Sequence, residues 1–310
     1  MSNVVLITGI GGDISQGVAT ILRENRPDLR LIGVDVHAQH GGHLFVDHFQ
    51  LVPRADAPGY LDAIKDVVRQ HSVGIVIPMS EPELAVTLPF PELAPGVKWI
   101  TAGERVVKAG LDKLETMDAL IGLGIPVPWT RPVSDGRPAA YPCILKNRTG
   151  SGSRAVFTVA DDEEADYLVK RHPDAIFQEL LGTAEREVTC AVYRRLDGTV
   201  SSLLMLRRLT GGFTGWAKII RDEETNRMCE AIANGLDLRG SMNVQLRLTD
   251  KGPRVFEINP RFSSTVLMRH RLGYTDVLWA IEEAEGTQVS FPEIPQDRIM
   301  VRVQGATVSY

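Results

Sequence analysis

The chain is poor in the features that would mark it as anything but an ordinary globule. Its 310 residues include three cysteines, Cys143, Cys190 and Cys229, far apart and in no C-x-x-C pair. A disulfide framework and structural zinc are both disfavoured. There is no basic excess: 34 Lys and Arg stand against 39 Asp and Glu, a formal charge of -5. A phosphate-backbone binder normally carries a clustered positive surplus, so no nucleic-acid partner is expected. No apolar run approaches the ~20 residues of a membrane helix. Met-Ser-Asn passes directly into an apolar strand without a basic n-region and long apolar stretch, so no signal peptide is expected. Repeats and low-complexity segments are lacking too. What is there, 44% hydrophobic and 24% charged residues, is the composition of a soluble protein with ample core, expected in the cytoplasm. The length suits two domains, or one with a large insertion.

Apolar periodicity divides the chain. Val4 to Thr8 is a β-branched run closed by Gly9, Val18, Ile21 and Leu22 mark a helix face, and Leu31 to Val36 is a second strand. Leu61, Ile64, Val67 and Val68 form another helical stripe; Val73 to Ile77 and Val97 to Thr101 read as further strands. Strand and helix in alternation predict βαβ units and an open parallel sheet. Beyond residue 107 the pattern changes. A helix through Leu114, Met117, Leu120 and Ile121 stops at Gly122-Leu123-Gly124, and a proline-rich connection follows. Longer strands then pair as hairpins around Asp197-Gly198 and Asp250-Lys251-Gly252.

Three segments carry chemistry. In Thr8-Gly9-Ile10-Gly11-Gly12-Asp13-Ile14-Ser15-Gln16-Gly17, glycines at a strand-to-helix turn expose N–H groups beside a positive helix end, which suits an anion. Gly11 and Gly12 are therefore substrate candidates. The dinucleotide fingerprint would need glycine where Ile14 stands, and its short-chain dehydrogenase variant where Ser15 stands. Asp35 ends the second strand where a ribose-binding acid belongs, but no Tyr-x-x-x-Lys pair exists. An NAD-linked oxidoreductase is thus the weaker alternative. In Ile144-Leu145-Lys146-Asn147-Arg148-Thr149-Gly150-Ser151-Gly152-Ser153, a strand lysine precedes a small-residue loop that can close over phosphate oxygens. In Phe256-Glu257-Ile258-Asn259-Pro260-Arg261, Glu257 and Asn259 share a strand face and suit Mg²⁺, with Gln245 across the hairpin as a further oxygen donor. Arg261 follows where a transferred phosphoryl group needs counter-charge.

Together these residues resemble the ATP-grasp superfamily, in particular the ATP-grasp unit of carbamoyl-phosphate synthetase large subunits. Leu111-Asp112-Lys113 with Gly124-Ile125-Pro126-Val127-Pro128 resembles the domain opening, and Lys146 with its loop the phosphate lysine and mobile loop. Phe177-Gln178-Glu179-Leu180-Leu181-Gly182 is similar to the adenine hinge, Glu187-Val188-Thr189 to the ribose motif, and Asn243-Val244-Gln245 with Glu257 to Arg261 to the metal-binding ending. Ala155 and Ala191 depart from the pattern without removing a phosphate or metal ligand, and only a single grasp unit fits the length.

The resemblance implies an α/β fold: a Rossmann-like pre-ATP-grasp domain (1–107), then a two-part α+β ATP-grasp domain divided into 108–181 and 182–310. It implies an ATP-dependent ligase that activates a carboxylate as an acyl phosphate and joins it to an amine or similar nucleophile. ATP would be held by Lys113, Lys146, Ser151, Gly152, Ser153, Glu179, Leu180, Leu181 and Glu187. Two Mg²⁺ ions would be held by Gln245, Glu257 and Asn259, and the catalytic cations would be Lys146 and Arg261. Glu81 joins Gly11 and Gly12 as a substrate candidate, and of the strand pair Arg207-Arg208, whose default is a solvated edge, either could face the acyl-phosphate site, with Arg208 taken as the candidate. Partners would be small molecules, with no nucleic acid or membrane, and self-association stays open. A non-catalytic nucleotide-binding protein is the remaining alternative. The histidines of the 37–48 segment, His37, His40, His43 and His48, read as a loop near the substrate end in preference to a zinc site.

Overall fold

Short β-branched runs that alternate between two buried faces explain the first sheet. The structure, a computed structural model, describes residues 2–88, 93–150 and 155–303. Strands β1 (Val4–Ile7), β2 (Arg30–Asp35), β3 (His48–Leu51), β4 (Ile75–Ile77) and β5 (Lys98–Trp99) pair in parallel in the order β3-β2-β1-β4-β5. Val5 and Ile7 point to helix α1 (Asp13–Asn25), against Val18, Ile21 and Leu22. Val4 and Leu6 point the other way, to helix α2 (Tyr60–His71), against Ile64 and Val67. The strand order reverses between β1 and β4, and ligands of open α/β sheets gather at the carboxyl ends beside such a reversal. Two connections end there, the Gly9–Gly12 turn after β1 and Ser80 after β4. Ser80 opens the short helix α3 (Glu81–Val86) through a reciprocal capping box with Glu83.

The second half is antiparallel. Helices α4 (Glu104–Leu111) and α5 (Lys113–Gly122) lead into a four-stranded sheet of β6 (Thr130–Pro132), β7 (Cys143–Asn147), β8 (Val156–Val159) and β9 (Ala175–Glu179), ordered β6-β9-β7-β8. Cys143, Leu145, Ala175 and Phe177 bury one face of it with Ala165 of α6 (Asp162–Val169). The alternate residues Ile144, Lys146, Ile176 and Gln178 lie on the opposite face.

A larger sheet follows: β10 (Glu187–Arg194), β11 (Val200–Thr210), β12 (Phe213–Ile219), β13 (Gly240–Thr249), β14 (Gly252–Asn259) and β15 (Ile299–Val301), ordered β14-β13-β10-β11-β12-β15. Val188, Cys190 and Val192 face α4, α5 and α7 (Glu223–Gly235). Lys113 thus opens a helix that packs on the larger sheet. On the other face the character changes along one strand. Ala191 and Tyr193 join a core shared with β1, β4, α1, α8 (Val266–His270) and α9 (Asp276–Glu285), whereas Glu187 and Thr189 are buried and polar. The apolar end binds the larger sheet to the first domain, and the polar end is left for a site. The fold is therefore a Rossmann-like domain followed by a two-part antiparallel α+β unit, the arrangement that the resemblance implies.

Gly110 sets how closely α4 approaches the turn after β14. A Cβ there would stand 2.7 Å from Pro260 Cδ and 3.2 Å from the Ile258 carbonyl. Gly110→Ala should cost about 1–3 kcal/mol by overpacking. The loss is readable as a lower midpoint of urea unfolding. An unchanged urea midpoint would show that the turn yields freely.

Candidate active site

The two antiparallel sheets face each other across Lys146. Its side chain is 6% exposed, and Nζ donates to the Phe256 carbonyl at 3.3 Å and lies 5.5 Å from the Phe256 ring centroid. Burial pushes its pKa down to about 8; Glu257 and Glu187 oppose this, and Lys113 adds to it. All four charges therefore bear on one place. Lys113 follows the capping residue Asp112, which also pairs with Arg148 at 2.7 Å, and Lys113 Nζ reaches the Gly150 carbonyl at 2.8 Å. Both ammonium groups thus stand where the small-residue loop begins. Ser151, Gly152 and Ser153 lie outside the described residues.

Opposite Lys146, β13 and β14 present a linked set of oxygen and amide groups. Gln245 pairs with Glu257 and Asn243 with Asn259 across the ladder, so all four share a face. Asn259 Nδ2 donates to Glu257 Oε1 at 2.8 Å, Gln245 Nε2 donates to Asn259 Oδ1 at 2.8 Å, and Asn243 Nδ2 donates there at 3.3 Å. Thr189 Oγ1 holds the Asn243 oxygen at 2.8 Å. Glu257 is the single carboxylate in this set. Among the described residues no cluster of three His, Cys, Asp or Glu is placed to hold a metal ion. A cation here would need the Glu257 carboxylate, amide oxygens released from their internal bonds, and oxygens of a bound phosphate. That mixture suits Mg²⁺, which seldom sits in an all-protein cage.

The network continues towards the hinge. Arg207 Nη2 donates to Gln245 Oε1 at 2.7 Å, and Arg207 pairs with Glu187 Oε1 at 2.7 Å. Arg247 holds the other Glu187 oxygen at 3.2 Å and the Leu181 carbonyl at 2.7 Å. Glu179 accepts from the Trp129 amide at 3.2 Å. The Leu180 and Leu181 amides make no hydrogen bond among the described residues, and such free N–H groups can meet a planar base.

Sequence reasoning missed Arg247 and, of the pair Arg207-Arg208, chose Arg208. Glu187 and Arg207 stand equally far from Asp197, so counting outward from that turn pairs them, as the register does. Arg208 is a correction. The strand period turns it away from Arg207, and it donates to the Ala184 and Glu185 carbonyls and lies over Trp216. The buried arginine on the site face is Arg207.

The glycine turn is a second correction. The Gly11 amide donates to Asp35 Oδ2 at 2.8 Å and the Gly12 amide to the Gly9 carbonyl at 2.9 Å. The amides expected to meet an anion are spent inside the turn. The same contact occupies the acid that a dinucleotide ribose would need, and His40 fills the space against Gly11, where a Cβ would lie 2.5 Å from its ring. The four histidines do not converge. His40 Nδ1 accepts from the Gly42 amide, His48 stacks on His71, and His37 and His43 are exposed. Glu81, by contrast, meets Arg261: Arg261 Nη2 donates to Glu81 Oε1 at 2.9 Å, with both side chains largely buried.

Comparison with known proteins agrees with this architecture. Residues 111–265 match the ATP-grasp domain family, and residues 5–88 match the PylC-like N-terminal domain family. A D-alanine--D-alanine ligase of Mycobacterium sp. (strain KMS) is 28% identical over 218 residues, 58% of each chain, so the match spans little more than half of that relative. N5-carboxyaminoimidazole synthetase from Staphylococcus aureus, complexed with ADP, superposes with a TM-score of 0.81 at 15% identity, over 97% of this chain and 82% of that one. L-amino acid ligase from Bacillus licheniformis gives 0.71 at 18% identity, over 91% and 74%. No helix among the described residues is long and apolar enough to cross a membrane. With the family match covering half its length, the chain belongs to the ATP-grasp family.

Proposed function

We propose that the chain is an ATP-dependent ligase that activates a carboxylate as an acyl phosphate and transfers the acyl group to an amine or similar nucleophile. The observation that carries this is Lys146, a buried ammonium whose one hydrogen-bond partner is a backbone carbonyl. Buried charge so thinly paired is costly, and a polyanion entering the cleft would complete it. Lys113 is close enough to share that load. Adenine would lie on the Glu179–Leu181 hinge and ribose against Glu187, which Arg207 and Arg247 hold in place. Mg²⁺, when bound at Glu257, Asn259 and Gln245, supplies neutralising charge at the β- and γ-phosphates.

The chain's own groups position and neutralise; they form no covalent bond. A substrate carboxylate oxygen bonds to the γ-phosphorus while the bond to the bridging oxygen breaks, and ADP leaves with that electron pair. The amine nitrogen then attacks the acyl carbon, phosphate departs with the C–O pair, and the amine's proton passes to solvent. Arg261 lies two residues beyond Asn259, where it can meet the negative charge that moves onto the acyl phosphate. The Lys146 ammonium holds the phosphate oxygens by charge during the first step.

Linkage gives the test. Mg-ATP at about 100 times its Kd should stabilise the protein by about 2.7 kcal/mol, a rise of a few degrees in Tm. NAD should give none, because Asp35 is engaged by the Gly11 amide. A protein stabilised by NAD and indifferent to Mg-ATP would not be this ligase.

A further inference from the structure

We propose that Arg269, locked to Asp276, is a positioning residue for the acyl-phosphate step: it fixes the segment that presents Arg261. This rests on the ligase reading of Arg261 and adds the group that sets where its guanidinium stands. Residues 260–265 join β14 to α8 and belong to neither a strand nor a helix. No ladder of backbone hydrogen bonds orients them, so side chains must. The Arg261 head is itself referred to this segment, since Nη1 donates to the Phe262 carbonyl at 3.1 Å.

Arg269 holds that segment by its side chains. Its Nη1 donates to Ser263 Oγ and to Thr265 Oγ1, both at 2.9 Å, and the two hydroxyls lie 3.0 Å apart. Its Nε and Nη2 donate to the two Asp276 oxygens at 2.9 and 2.7 Å. Asp276 also accepts from Ser241 Oγ at 2.6 Å. Ser241 lies on β13 two residues before Asn243, so one face of that strand carries both the anchor of Asp276 and the proposed metal donors. From another direction Arg302 donates to the Ser264 carbonyl and to both Asp13 oxygens, which ties the same segment to the first domain.

Stability does not account for this pair. Arg269 and Asp276 are each 1% exposed, on a stretch whose neighbours Val266, Tyr274 and Val277 belong to the apolar core. Two charges taken out of water gain little net, and a well-packed apolar pair of similar volume is often as stable or more so. An apolar pair has no direction, however. The N–H groups of a guanidinium lie in one plane, so holding Asp276 on one edge fixes where Nη1 aims on the other. Ser263 and Thr265 are thereby set relative to α9 and β13, and Arg261 with them. A misplacement of about 1 Å at a group that meets the reacting atoms is enough to cost about 10²-fold.

The test uses Mg-ADP with aluminium fluoride, a stand-in for a phosphoryl group in transfer. In the unaltered protein aluminium fluoride should tighten Mg-ADP by at least about 10²-fold. Arg261→Ala should remove most of that gain. Arg269→Met combined with Asp276→Leu removes both charges and should melt at or above the unaltered protein. Its Kd for Mg-ADP alone should be unchanged, while it loses at least about tenfold of the tightening. Placed on top of Arg261→Ala, the same pair of changes should cost no more than about twofold further, because it acts through Arg261. Ser263→Ala leaves the ion pair intact and should lose about threefold of the tightening, and it carries the test if the paired variant does not fold. Full tightening in the paired variant, or in Ser263→Ala where that variant stands in for it, would make the ion pair purely structural and overturn the proposal. Losses that multiply with Arg261→Ala would do the same. If aluminium fluoride gives no tightening, or Arg261→Ala leaves it whole, the reading of Arg261 falls and the positioning role with it; a retained Mg-ADP melting shift then spares the nucleotide site.

Discussion

Glu257→Gln should lower ADP release by about 10²–10³-fold and leave the fold intact, because removing one transition-state charge partner costs about that much. The substitution is chosen to isolate charge. A glutamine oxygen can still accept from Asn259 Nδ2, so the ladder between β13 and β14 keeps its shape. What disappears is the single carboxylate among the proposed Mg²⁺ donors; Gln245 and Asn259 are neutral. The loss has a second route, since Glu257 is also the largest influence that keeps Lys146 protonated against burial. The variant should therefore need more Mg²⁺ for half-maximal rate and lose more activity at pH 8 than at pH 7. ADP release within tenfold of the unaltered protein at the same Mg²⁺ would remove Glu257 from the metal site.

The sequence is most informative where a local rule has one solution. β-branched runs with helical stripes between them specify the parallel sheet, and the expected Asp197-Gly198 turn joins the strands Glu187–Arg194 and Val200–Thr210. Glu257 and Asn259 fall on one face because the strand period allows nothing else. The misses have physical causes. β3 is a half-buried edge strand with a mixed pattern, and α3 is too short for periodicity, although Ser80-Glu81-Pro82-Glu83 carries the capping-box spacing. The choice between Arg207 and Arg208 depends on hairpin register, which shows only when residues are counted outward from the turn. The glycine turn is the more instructive error. Its amides are oriented by local geometry, but whether they are free depends on Asp35, a neighbour through the sheet. Likewise, the Glu81–Arg261 pair joins groups 180 residues apart, and no local pattern announces it.

Lys146 should make nucleotide binding fall with rising pH in a way that an arginine would not. Its folded pKa is about 8 against an ordinary 10.5, chiefly through burial. Between those values the unfolded chain binds the proton more readily than the folded one. The stability of the ligand-free protein should therefore rise as pH increases through that window. Below about pH 8 the buried charge carries its full cost, on the order of 3 kcal/mol. Phosphate oxygens need the charged form, so the apparent Kd for Mg-ADP should rise about tenfold per pH unit above 8 as the ammonium is lost. Lys146→Met at pH 7 should abolish the Mg-ATP melting shift without lowering the melting temperature of the free protein, since it removes a desolvated charge and leaves a chain of similar shape. Lys146→Arg keeps its charge throughout and should flatten the profile, whatever affinity its altered geometry retains. Lys113, Glu187 and Glu257 also face this group. A Kd for Mg-ADP that stays level from pH 7 to 9.5 would show that the ammonium does not meet the phosphates.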